Sequence, residues 1–165
     1  MSEDFVTSLG LPLLSHRLRR AAEAILEATG TFLERQGFGG PPRSVSTLLL
    51  LAESAPLGIT EISARLKLTH PLIIKLVRAL TEAGYVREER DPADSRRRLI
   101  SLTPEGARQA ALLRRVNRVV ARALERLAAE SGADLFDAVA RFEEAVAERT
   151  LIERLEDARG ASPDG

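Results

Sequence analysis

The 165-residue chain has no cysteine, no tryptophan, two histidines, one tyrosine and no net charge, its 24 basic side chains balancing 24 acidic ones. Without cysteine there can be no disulfide, zinc–thiolate site, thiolate nucleophile or thiol-based redox sensor. The two histidines, His16 and His70, are far apart, and no cluster of histidines and carboxylates has metal-ligand spacing. The sequence therefore predicts no metal and no cofactor. It also shows no glycine-rich phosphate loop and no nucleophile–base constellation, so no catalytic residues are expected and the chain does not read as an enzyme. There is no run of about 18 apolar residues, no basic and apolar leader and no lipidation motif, which predicts a cytoplasmic protein without a membrane partner.

Zero net charge hides a strong segregation. Residues 65–101 hold nine basic and five acidic residues, a net +4, whereas residues 130–165 hold four basic and ten acidic, a net −6. The first region could attract phosphate and the second would repel it.

Leu14, Leu18, Ala21, Ile25, Phe32 and Leu33 recur at three- and four-residue spacing between Pro12 and the breaker at residues 37–42, which predicts one long amphipathic helix. Val45, Leu48, Leu49 and Leu51 make a short second helix that stops near Ala55 and Pro56. Thr60 is placed to cap a third helix that buries Ile62 and Leu66. A short turn through Lys67 and Thr69 leads into a fourth helix from about Pro71 to Ala83, closed by Gly84. This is helix-turn-helix spacing. On the fourth helix Ile73, Leu76, Val77 and Leu80 share the core face, leaving Pro71, Leu72, Lys75, Arg78, Ala79 and Glu82 outward.

Residues 85–90 and 97–102 read as two strands around the turn Asp91-Pro92-Ala93-Asp94, with Ile100 and Leu102 on one face. The consecutive arginines Arg96, Arg97 and Arg98 make this a basic β-hairpin. Thr103 then caps a long helix, with Pro104 at its first position and Glu105 in its first turn, that ends at Ser131-Gly132. Leu135, Phe136, Val139, Phe142, Val146, Leu151, Ile152 and Leu155 carry a last helix.

Two short helices followed by a basic hairpin are the outline of a winged helix-turn-helix, a module most often used to grip duplex DNA. The expected fold is mainly α with a small β-wing. Residues 43–103 form the winged helix-turn-helix, 1–42 and 104–157 are helical dimerisation regions, and 158–165 are a disordered tail. The flanking helices are too apolar and too long for so small a body to cover, which predicts a homodimer on double-stranded DNA. Thr69, His70, Leu72, Lys75 and Arg78 are candidates for base or phosphate contact in the major groove. At the wing, Arg96 suits a narrow minor groove, and Arg90, Arg97 and Arg98 are placed for phosphates.

The element order, the exit Ala83-Gly84-Tyr85-Val86, and the wing motif Asp94-x-Arg96 followed after five residues by Leu102-Thr103 resemble the MarR (multiple antibiotic resistance regulator) family of winged-helix transcription factors over most of the chain. The resemblance implies a homodimer joined by the first and last two helices, acting as a transcriptional repressor on a pseudo-palindromic operator and responding to a small-molecule effector. It also implies that Asp94 orients Arg96. The chain departs from the family in its fourth helix, where relatives usually show a small hydroxyl residue before a basic one and this chain has Ile74 before Lys75, with an apolar helix start Pro71-Leu72-Ile73-Ile74. Leu72 can touch thymine methyl groups but cannot hydrogen-bond to base edges. Lys67 stands where relatives often have glycine. The alternative reading is a winged-helix adaptor that binds protein through the Leu72 region. Three wing arginines and scarce aromatics favour DNA over that reading.

Overall fold

The structure is a computed structural model that describes residues 4–94 and 97–161. In chain order the helices are α1 (Phe5–Leu9), α2 (Leu14–Arg35), α3 (Val45–Ser54), α4 (Ile59–Leu66), α5 (His70–Glu82), α6 (Pro104–Ser131), α7 (Leu135–Glu148) and α8 (Leu151–Ala161). Three strands, β1 (Leu57–Gly58), β2 (Val86–Arg90) and β3 (Arg98–Leu102), form one antiparallel sheet in the order β1-β3-β2. The chain divides into two compact units, residues 1–120 and 121–165, the division falling within α6. Among the described residues no helix is long and apolar enough to cross a membrane.

The core of the first unit is built from the residues whose spacing marks them as inward-facing. Leu48 and Leu51 of α3, Ile62 of α4, Ile73, Val77 and Leu80 of α5, Ile100 of β3 and Leu113 of α6 are all at most 2% exposed. Each such side chain contributes about 1.5–3 kcal/mol when fully buried. Phe38 and Tyr85 stack with ring centroids 5.9 Å apart, and the Tyr85 hydroxyl accepts the Gly39 N–H at 3.2 Å. The end of α5 closes as expected. Gly84 adopts φ 75°, and the N–H of Tyr85 bonds back to the Leu80 carbonyl at 2.9 Å. Thr103 also does what its position predicts: its Oγ1 accepts the Gly106 N–H at 3.0 Å and donates to the Gly84 carbonyl at 2.6 Å.

Several elements differ from the sequence reading. The chain ahead of α2 is not a continuation of it, because Asp4 caps the separate helix α1 and bonds Arg20 of α2 at 2.6 Å. Helix α4 is capped by Gly58 rather than by Thr60, since the Glu61 carboxylate accepts the Gly58 N–H at 2.7 Å and β1 pairs Gly58 with Leu99. The last helix is two helices. Thr150 and Glu153 form a capping box, in which Glu153 accepts the Thr150 N–H at 2.8 Å and Thr150 Oγ1 accepts the Glu153 N–H at 3.4 Å. The spacing Thr-x-x-Glu was present in the sequence and signals this break. Helix α8 continues to Ala161, taking in residues 158–161 of the expected disordered tail, of which 162–165 lie outside the described residues.

In the second unit the apolar row of α7 faces outward. Leu135 and Phe142 are each 49% exposed, Val139 is exposed with them, and Phe136 is 89% exposed. The first unit likewise exposes Phe5, Leu9, Leu11 and Leu18 of its N-terminal helices.

Candidate nucleic-acid interface

Helix α5 presents its outer face through the same periodicity that buries its inner one. Burial of Ile73, Leu76, Val77 and Leu80 leaves Pro71, Ile74, Lys75, Arg78 and Glu82 exposed. Lys75 makes no ion pair among the described residues, whereas Arg78 donates to Glu82 one turn on at 2.9 Å with both side chains well exposed. A pair this exposed is worth little and is easily exchanged for a phosphate. Thr69 takes the extended N-cap conformation without a side-chain cap bond, and the adjacent His70 ring lies 3.4 Å from Thr60 Oγ1.

Leu72 differs from its expected outward placement, being half-buried and packed against the core. The exposed apolar side chain is Ile74, 54% accessible. An ideal 100° step puts Leu72 about 40° from Leu76 and about 100° from Ile73, at the edge of the core face, and packing of the helix start drew it inward. Ile74, Val77 and Thr81 of α5, with Glu88 and Arg98 of the sheet, line an open groove of about 390 Å³.

The wing turn is closed by Asp91. Its Oδ1 accepts the Ala93 N–H at 2.8 Å, its own N–H donates to the Arg97 carbonyl at 3.1 Å, and the Arg97 N–H donates to the Asp94 carbonyl at 2.9 Å. Arg96, the wing residue expected in the minor groove, lies outside the described residues. Arg90 and Arg98 are cross-strand partners in the β2–β3 register, both exposed, and neither has an ion pair among the described residues. Arg97 is engaged instead. It forms ion pairs with Glu61 of α4 and, at 3.7 Å, with Asp91.

Glu61 is the residue of this surface that the sequence reading missed. Its carboxyl is held below the usual carboxylate range, first by the Gly58 N–H and then by the Arg97 guanidinium. An acidic residue in the first turn of a helix was its visible signal; the partner 36 residues away was not. Among the described residues no group of histidines and carboxylates is placed to hold a metal ion. The chemistry on offer is that of a cationic, partly apolar surface formed by one helix face and one hairpin, suited to a polyanion.

Residues 38–97 match the MarR family. Over 94 residues the chain is 34% identical to the HTH-type transcriptional regulator PrsX of Escherichia coli, a match covering 57% of this chain and 57% of that protein. The chain thus spans little more than half the length of the curated relative it matches. Among solved structures it is similar to the transcriptional repressor CouR bound to a 23-mer DNA duplex, with 29% identity and a TM-score of 0.65 over 88% of this chain and 99% of that one. It is also similar to the PcaV transcriptional regulator from Streptomyces coelicolor in complex with its natural ligand. That identity is 27% and the TM-score 0.62, again over 88% of this chain and 99% of the other.

Proposed function

We propose that the chain, whose residues 38–97 match the MarR family, is a winged helix-turn-helix transcriptional regulator of that family, a sequence-specific DNA-binding repressor of the cytoplasm without enzymatic activity. It acts as a homodimer on a pseudo-palindromic operator and is released by a small-molecule effector. The observation that carries this reading is the facing pair Arg90 and Arg98. Like charges directly opposite on adjacent strands destabilise a sheet. An anion between them turns that cost into affinity, and duplex DNA offers one phosphate charge per roughly 1.7 Å of axis.

In this reading α5 enters the major groove. Lys75 and Arg78 meet phosphates or base edges, Thr69 and His70 contact the backbone at the helix start, and Ile74 with Leu72 meets thymine methyl groups. Arg96, oriented by Asp94, enters the flanking minor groove, where a narrow groove concentrates negative potential. The apolar rows exposed on α1, α2 and α7 support a second copy as their cover. CouR is bound to DNA and PcaV to a natural ligand, and their likeness to this chain supports both activities here.

The test is selection from a random duplex library with the purified protein. Enrichment of an inverted repeat with half-site centres about 10 base pairs apart is expected. Failure to enrich any duplex, together with capture of a protein through the Ile74 surface, would favour the adaptor reading instead.

A further inference from the structure

The outer end of the wing is tied to the helix-turn-helix through the Arg97 side chain. Arg97 sits just before β3, and its guanidinium meets three groups of different origin. It ion-pairs with Glu61 in the first turn of α4, reaches Asp91 Oδ2 in the wing turn at 3.7 Å, and lies over Gly58, where a Cβ would come within 3.1 Å of Arg97 Nε. The Glu61 oxygen that takes Arg97 also accepts the Gly58 N–H at 2.7 Å. The arginine backbone is held as well, its N–H by Asp94 and its carbonyl by Asp91. From Gly58 to Arg97 the chain passes through α4, α5 and β2, so this contact closes the whole module on itself.

We propose that Arg97 is a positioning residue that braces the wing against the first helix of the helix-turn-helix, with Glu61 as its anchor, rather than a phosphate ligand. Arg is suited to this because its planar fork presents separate N–H groups to two carboxylates in a fixed geometry, whereas a lysine ammonium is a compact point charge on a flexible stem. The bracing also accounts for a carboxylate beside the cations of the proposed interface, where an acid would otherwise only repel phosphate. An ion pair this exposed adds little to global stability. Its consequence is the angle at which Arg90, Arg98 and the wing tip meet the duplex.

The proposal rests on the DNA reading, and two measurements keep the two apart. In the free protein, amide exchange at the Asp91 and Arg97 N–H groups should quicken about two- to fivefold in both Arg97→Gln and Glu61→Gln, the change that loss of an exposed ion pair allows. Unchanged exchange in both variants overturns the bracing whether or not the protein binds DNA. With the selected duplex, anisotropy titrations across a range of salt concentrations give the second readout. Bracing predicts that Glu61→Gln weakens binding although it removes a negative charge, and that Arg97→Gln weakens it with an unchanged salt slope. It also predicts that Arg97→Lys binds as poorly as Arg97→Gln. A phosphate role predicts the reverse: tighter binding by Glu61→Gln, a slope smaller by about one in Arg97→Gln, and rescue by lysine. If the wild-type chain enriches no duplex, the DNA reading fails and the exchange measurement alone decides the bracing.

Discussion

Gly106→Ala separates local from tertiary control of this fold. Gly106 is the third residue of α6, and in a helix alanine is favoured over glycine by about 0.5–1 kcal/mol, so propensity alone predicts a more stable protein. The structure predicts the opposite. A Cβ at this position would penetrate the Tyr85 carbonyl, lying 2.8 Å from its carbon and 3.2 Å from Tyr85 Cα, whereas carbon atoms prefer about 3.5–4.0 Å. All three atoms are backbone and the carbonyl oxygen is the nearest, so relief requires moving the first turn of α6 away from the exit of α5 by about 1 Å or more. That movement stretches the Thr103 N–H bond to the Tyr85 carbonyl at 3.0 Å and the Thr103 hydroxyl bond to the Gly84 carbonyl at 2.6 Å. Overpacking costs about 1–3 kcal/mol and each weakened bond about 1 kcal/mol. After the helix gain is subtracted, a net loss of about 2–4 kcal/mol is expected. Urea unfolding followed by far-ultraviolet circular dichroism measures it, at one fixed protomer concentration so that the proposed dimerisation contributes equally to parent and variant. A variant as stable as the parent, or stabilised by up to about 1 kcal/mol, would show that helix propensity outweighs the α5–α6 contact and would refute the reasoning.

Arg98→Ala should weaken duplex binding and lower the salt slope by about one, since Arg98 has no ion pair among the described residues; an unchanged slope in the same titration would remove it from the phosphate contacts. Lys67 has φ 52° at the turn between α4 and α5, so Lys67→Gly should raise the unfolding free energy measured in urea by about 0.5–1 kcal/mol once the extra chain entropy of glycine is counted. Phe142→Asp places a charge in the apolar row of α7 and should turn the light-scattering mass at micromolar concentration from dimer to monomer; a variant that stays dimeric would put the interface elsewhere. Asp4, which caps α1, has its carboxyl lowered from 3.8 to about 2, chiefly by Arg20. A depressed carboxyl stabilises above its unfolded value and loses that contribution as pH falls through the folded one, so amide protection of α1 should drop between about pH 4 and 2, and Asp4→Asn should abolish that dependence.

The helix-turn-helix was legible because its signals are local. The apolar spacing that buries Ile73, Leu76, Val77 and Leu80, the glycine exit at Gly84 and the Thr103 cap all act within a few residues, and each stands where the sequence predicts. The break between α7 and α8 was equally local, and the Thr150–Glu153 box announces it. The candidate site was legible only in part. Lys75, Arg78, Arg90 and Arg98 could be placed on the outside by period alone. The half-burial of Leu72 could not, because a side chain at the edge of the core face is drawn in or left out by the neighbours it packs against.

The sequence by itself determined which segments are helix, turn and wing, and where positive charge gathers, since capping, periodicity and charge act between near neighbours along the chain. Only the tertiary structure decided that two residues at 57–58 become a third strand, that Arg97 turns to Glu61, and that position 106 tolerates no side chain. Those outcomes join residues from about 20 to about 40 positions apart. A contact of that kind exists only after the intervening loops have closed, and its partner is chosen by the packed core rather than by the local chain.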